Sequence, residues 1–398
     1  MTSKLYWIWL ATRISCGTAV GRHLLEYFDT PEAVWRATSG ELAVVPSMTQ
    51  RRQAALMDKD LIYPQRILTD CDKQGIDIVT LADENYPVLL RQINNAPLLL
   101  YVRGMLPDFR TRLAVSIVGT RKATPYGLHA SRYFAGTLAQ NDCIIVSGMA
   151  LGIDGMANRA AIEAGGQTVA VLGCGVDVCY PWQHKQLMKD IMRQGAVISE
   201  YPPGTEPKGR HFPVRNRIIT GLSRGTLVVE APRKSGALIS ADLALEQGRD
   251  VFAIPADINR PNSEGCNHLI RKGGAELVQS PTDILSYYDQ HDQHEYKKRM
   301  KARVRPIEQR KLAAPNHFTA VSRTDTALPV MEMRRLEGTP EECAVWRTVH
   351  DGKYTVDAIV DATGLPVATV LTALTMLEMG AYVIRAGGSY RAADDVEV

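Results

Sequence analysis

Leu113-Ala114-Val115-Ser116-Ile117-Val118-Gly119-Thr120-Arg121-Lys122-Ala123-Thr124-Pro125 decides the fold. An apolar run of strand length breaks at a glycine. Thr124-Pro125 then opens a helix, with threonine as the cap and proline at the first helical position. The rhythm repeats downstream, in strand-like runs Cys143 to Val146, Thr168 to Leu172, Ala196 to Ser199, Thr226 to Val229 and Asp250 to Ile254. Helix-length segments separate them. Short apolar strands alternating with helices predict a doubly wound, Rossmann-like α/β core over 81–288, its parallel sheet covered on both faces.

The flanks read differently. Residues 1–80 predict short helices in a SAM- or helix-hairpin-helix-like domain: Val20, Leu24, Leu25 and Phe28 share one face, and Thr30-Pro31-Glu32 opens the next helix. Residues 289–338 predict a flexible basic linker, with eight Lys/Arg against two Glu between Glu295 and Lys311. From the capping box Thr339-Pro340-Glu341-Glu342 onward, 339–398 predict a winged helix: three helices ending near His350, Ala362 and Met379, then a wing around Tyr382 to Tyr390.

Composition narrows the function. Lys+Arg 46 against Asp+Glu 43 leaves a net charge of +3 on 398 residues, so any polyanion site must be local. Hydrophobic content of 45% excludes a mainly disordered chain. The apolar patch Leu5 to Ala11 is bracketed by Lys4 and Arg13, too short for a membrane span. Seven cysteines with no C-x-x-C pair predict reduced thiols, a cytoplasmic location and no metal. No cofactor is expected. The dinucleotide fingerprint and the Walker lysine are both missing, and Ser147 stands where a ribose-binding acid would end the second strand.

Ligands of such sheets sit beyond the carboxyl ends of the strands, near helix N-termini. Gly119-Thr120-Arg121 and Ser147-Gly148 occupy such ends and offer backbone N–H groups to phosphate oxygens. The stretch Lys208-Gly209-Arg210-His211-Phe212-Pro213-Val214-Arg215-Asn216-Arg217 is read as a basic loop, four cations with an aromatic face for a base. Its alternative is that Arg215 and Arg217 pair with core carboxylates such as Glu200 or Glu230, with Phe212 packed in the core. Lys234-Ser235-Gly236 opens a helix, and Asn267 with Lys272 adds a further basic edge. The third C-terminal helix, from Pro366 to Met379, carries no Arg, Lys, Asn or Gln, so it predicts protein docking or packing rather than base reading; Arg385 and Arg391 remain on the wing.

Taken in order, Val118-Gly119-Thr120-Arg121, Ser147-Gly148-Met149-Ala150 with Gly152-Ile153-Asp154, Gly173 and Gly175 with Asp177 and Tyr180-Pro181, Ser199-Glu200, Phe212-Pro213 with Arg215-Asn216-Arg217-Ile218-Ile219, and Glu230-Ala231 with Ser235-Gly236-Ala237 resemble the DNA-processing proteins called DprA or Smf. The resemblance implies binding and protection of single-stranded DNA in natural transformation, delivery of the recombinase RecA, homodimerisation through the α/β domain, and no catalysis. Two positions depart from the family pattern: Asn158 where histidine is common, and Ser240 where threonine is.

Two other classes compete. A nucleotide-binding or nucleoside-monophosphate phosphoribohydrolase-like enzyme would use Asp154 and Glu230 as acid and base. Its Pro-Gly-Gly-x-Gly-Thr loop is absent, the equivalent place reading Ala231-Pro232-Arg233-Lys234-Ser235-Gly236-Ala237. A transcription factor would explain the winged helix but leave the motifs of the α/β core without a purpose.

Overall fold

A strand covered on both faces is mostly apolar, and every residue of β3 (Ala114–Val118), β4 (Ile144–Ser147), β5 (Thr168–Leu172) and β6 (Ala196–Ser199) is buried, with the hydroxyls of Ser116, Ser147, Thr168 and Ser199 hydrogen-bonded inside the sheet. With β1 (Asp77–Thr80), β2 (Leu99–Gly104), β7 (Gly225–Val228), β8 (Asp250–Ala253) and β9 (Glu276–Leu277) they form a nine-stranded sheet ordered β1-β2-β6-β5-β4-β3-β7-β8-β9. The block from β6 to β9 is parallel, whereas β2 pairs antiparallel with both β1 and β6. The computed structural model describes residues 4–291, 334–335, 339–351, 355–379, 382–386, 389–392 and 396–397. Residues 292–333 of the expected linker lie outside them.

From β3 the chain winds one way through β4, β5 and β6, then returns to place β7 on the other side of β3. That reversal is the crevice where ligands of such sheets bind. Inside the sheet, the Ser116 and Thr226 hydroxyls bond each other at 2.7 Å across the β3–β7 seam.

Side chains alternate between the faces. Ala114, Val118, Ile144 and Val146 pack with α7 (Val88–Gln92), α11 (His211–Gly221), α12 (Gly236–Glu246) and α13 (Glu264–Arg271). Val115, Ile117, Ile145 and Leu227 pack with α8 (Pro125–Gln140), α9 (Ile153–Glu163) and α14 (Pro281–His291). The second face continues over Leu99, Tyr101, Leu172 and Val197 toward α10 (Lys185–Gln194) and the N-terminal helices. These are α1 (Lys4–Arg13), α2 (Val20–Phe28), α3 (Pro31–Arg36), α4 (Ser39–Ala43), α5 (Gln50–Met57) and α6 (Ile62–Gln74). Trp9, Leu10, Leu24, Leu42 and Leu56 join that core, each fully buried and contributing about 1.5–3 kcal/mol. As read, Thr30 caps α3 by accepting from the Ala33 amide at 3.1 Å.

Two units divide the chain, at residues 1–309 and 310–398. In the second, α15 (Pro340–His350), α16 (Val356–Thr363) and α17 (Val367–Met379) surround Val345, Trp346, Ile359, Val370 and Leu374. The antiparallel wing pairs β11 (Val383–Ala386) with β12 (Ser389–Ala392), and β10 (Arg334–Arg335) runs parallel to β13 (Val396–Glu397). Thr339 and Glu342 close the expected capping box. This is a winged helix. No helix among the described residues is long and apolar enough to cross a membrane.

Candidate nucleic-acid interface

The loops at the carboxyl ends of β3, β4 and β7 already hold carboxylates. Glu230, 2% exposed, accepts from the Thr124 amide and hydroxyl, both at 2.9 Å, at the start of α8. Asp154 accepts from the Gly148 amide at 3.2 Å and from the Gly119 amide. The donors that would meet a pyrophosphate in a dinucleotide-binding protein therefore meet the protein's own side chains. Burial raises the Asp154 carboxyl, while Arg215 and the two amides pull it down. Gly119 and Gly148 are needed for close approach. A Cβ on Gly119 would lie 2.5 Å from Ile153, and one on Gly148 would lie 2.6 Å from Asp154 and 2.7 Å from Arg215.

The basic stretch differs from its expected form. Residues 208–210 precede a helix, and His211–Gly221 is α11, with Pro213 tolerated in the first turn. Helical geometry turns two of the expected phosphate ligands inward. Arg215, 4% exposed, donates to the Gly148 carbonyl at 2.9 Å and to the Val171 carbonyl. Burial holds its guanidinium down at about 10, against the pull of Asp154. Arg217, 2% exposed, grips both oxygens of Glu200, at 2.6 and 2.7 Å. Neither cation is presented to solvent.

Other expected ligands also have internal roles. Ser147 is buried and donates to the Ile117 carbonyl at 2.6 Å. Asn267 bonds the Ala256 amide and carbonyl, at 3.2 and 2.8 Å. Ser235 caps α12 through the Ala237 amide, and the Thr120 hydroxyl accepts from the Lys122 amide. Asn216 reaches the Gly236 carbonyl at 3.4 Å, tying α11 to the start of α12. Asn158 is buried and donates to Thr168 at 2.8 Å, so this departure from the family pattern lies in the α9–β5 packing.

What faces outward is cationic. Arg121, Lys208, Arg210, Lys234 and Lys272 are exposed, as are Lys122 and Arg233. Half-buried Phe212 lies against one of them, with the Arg121 guanidinium 5.2 Å from its centroid, and the buried Arg215 is 5.8 Å away. Tyr180 packs on Phe212 at 5.3 Å between centroids and is itself 40% exposed. Farther along the edge, His268 is held below its ordinary pKa by desolvation and by Lys272, Arg233 and Arg271.

Sequence reasoning did not include Tyr180, Lys122, Arg233 or Arg271 among the site residues. Tyr180-Pro181 was the available signal for the tyrosine. The candidate site is thus the half-buried Phe212 with Arg121 over its ring and Tyr180 against it, and a cation beside a flat ring has the chemistry that a phosphate and a base require.

A mostly parallel α/β core is thus followed in the chain by a winged helix. The family model described as DNA recombination-mediator protein A matches residues 77–289, and the DprA winged helix domain matches 332–389. Protein Smf of Synechocystis is 36% identical over 289 residues, covering 72% of each chain. DNA processing protein DprA of Streptococcus pneumoniae is 45% identical over 210 residues, covering 53% of this chain and 73% of the relative. The X-ray structure of the S. pneumoniae protein superposes with a TM-score of 0.63 at 36% identity, over 72% of this chain and 98% of that one. The chain belongs to the DprA/Smf family of DNA-processing proteins.

Proposed function

We propose that this protein binds single-stranded DNA taken up by the cell, protects it, and helps load RecA on it without catalysing a reaction. The observation that carries the reading is Phe212, half-buried beneath Arg121 on a rim of exposed cations. A base unstacked from its neighbours can lie on a ring, while duplex DNA offers the phosphates alone. In this reading the phosphate contacts are Arg121, Lys208, Arg210, Lys234 and Lys272, with Gly119, Gly148 and Gly236 giving close access. Arg215, Asn216 and Arg217 hold the platform. Likeness to the family supports RecA delivery, a role in competence and homodimerisation through the α/β domain as parts of the same proposal. A cytoplasmic location suits that partner and seven free thiols.

The absence of catalysis is supported by the carboxylates. Asp154 and Glu230, which a phosphoribohydrolase-like enzyme would use, are buried and hydrogen-bonded to backbone amides. Incubation with nucleoside monophosphates is expected to release no free base. The central test is binding of the full chain to single- and double-stranded oligonucleotides across a salt series. Five phosphate contacts at about 0.7 each predict a log–log slope of about −3 to −4 for single strands. Equal affinity for both forms at every salt concentration would refute the stacking platform.

A further inference from the structure

We infer that Trp182 is a second stacking surface, for the base next to the one on Phe212 in the same single strand. This role rests on the single-strand reading of Phe212 and takes it one residue further. Of the five tryptophans, Trp7, Trp9 and Trp346 are buried, and half-buried Trp35 donates its indole N–H to the Lys59 carbonyl at 3.0 Å. Trp182 is 76% exposed. An indole left in water keeps bare the apolar face that stacking on a base would cover.

The loop after β5 sets its position. Tyr180 packs on Phe212 with ring centroids 5.3 Å apart. Pro181 is buried, while Tyr180 and Trp182 on either side of it are exposed, so both rings emerge on the solvent side of the loop. Two residues of chain keep their Cα atoms within about 7 Å of each other. The indole therefore stands one step beyond the tyrosine that adjoins the Phe212 ring.

The backbone beneath the indole is fixed. Trp182–His184 is a single 3-10 turn leading into α10. The His184 amide donates to the Pro181 carbonyl at 3.0 Å, and His184 Nδ1 bonds the Met149 carbonyl at 3.0 Å. At the other end of the loop the Gly175 amide donates to the Thr205 carbonyl at 2.9 Å, and the Gly204 amide donates to Asp177 at 2.9 Å. These bonds tie the loop to the segment that carries exposed Lys208 and Arg210, and exposed Lys185 follows the turn. A ring on a fixed backbone loses little conformational freedom on stacking. Cations on the bonded segment and after the turn favour a base linked to phosphate over an apolar protein surface.

The test titrates the full chain with a short oligothymidylate and with an abasic strand of the same length. The oligothymidylate should quench the intrinsic fluorescence, because a stacked base covers the exposed tryptophan. Anisotropy of the labelled strands measures affinity. Trp182→Leu should abolish the quenching and weaken oligothymidylate binding about five- to tenfold, the low end of one stacked base, with the salt slope unchanged. Trp182→Phe should recover most of that affinity. The abasic strand should bind wild type and Trp182→Leu equally.

Unquenched emission on binding, unchanged affinity in Trp182→Leu, or an equal loss with the abasic strand overturns the proposal. Phe212→Ala separates this failure from that of the parent reading. If Phe212→Ala loses its preference for single strands while Trp182→Leu binds like wild type, Phe212 stacks alone and the indole is left to a protein partner. If neither variant changes binding, or wild type binds no single strand, both proposals fall.

Discussion

The Arg121 guanidinium lies over the Phe212 ring, 5.2 Å from its centroid, joining the loop after β3 to the first turn of α11. One residue offers charge and the other a flat apolar face. Desolvated pairs of this kind contribute up to about 2 kcal/mol, and exposed ones about 0.5–1. Under the proposed function, a base entering the site would compete for the ring and leave the arginine for the adjoining phosphate.

That competition separates two variants. Phe212→Ala should reduce the preference for single over double strands while leaving the salt slope in place. Arg121→Ala should lower the slope by about 0.7, one phosphate contact, with a smaller effect on preference. Fluorescence anisotropy across a salt series reads both quantities. A slope change in Phe212→Ala would show that the ring acts through the neighbouring cations instead.

Arg217 and Glu200 belong to the platform and are 3% and 10% exposed in their side chains. Arg217→Ala leaves Glu200 as a charge without its partner and should cost about 3–5 kcal/mol of stability. Urea unfolding measures it. DNA affinity of the fraction that remains folded should stay within about threefold of wild type, since one exposed contact contributes more than that factor. Loss of binding without loss of stability would place Arg217 at the phosphate backbone.

Asp154 sets a pH dependence. Burial raises its folded-state pKa above the unfolded value near 4, so the folded protein holds the proton more tightly than the unfolded chain. Its stabilising contribution is complete below the unfolded pKa and declines as pH rises through the folded one. Asp154→Asn should remove that decline, and unfolding free energies measured at several pH values from 4.5 to 7 should show wild type losing ground to the variant. Parallel curves would mean that Asp154 has the same pKa in both states.

Within the winged helix, α17 carries no Arg, Lys, Asn or Gln for the major groove. Selection of duplexes from a random pool by the full chain should therefore enrich no sequence. Removal of residues 335–398 should leave single-strand affinity within about threefold. An enriched motif that vanishes with those residues would assign base reading to this domain.

Much of the fold was legible along the chain. The parallel strands from β3 to β8 fall within a residue or so of their expected positions, because a strand covered on both faces reads as a short, mostly apolar run. Thr30, Thr124, Ser235 and Thr339 cap helices where their residue types and the following prolines or glycines suggested. β1 and β2 were not anticipated. They pair antiparallel at the sheet edge beside β6, with α7 between them in the chain, and the Leu98 to Val102 run was the unused signal.

Residue types and their order determined the α/β class, the winged helix and the concentration of charge near the carboxyl ends of the strands. Which charges reach solvent was decided only in three dimensions. Once 211–221 coils, its turn carries Arg215 to the Gly148 carbonyl and Arg217 to Glu200, while Phe212 and Arg210 stay at the surface. The physical reason is partnership: a buried guanidinium persists only beside acceptors, and Glu200 and Val171 lie far from it in sequence, brought near by the sheet alone.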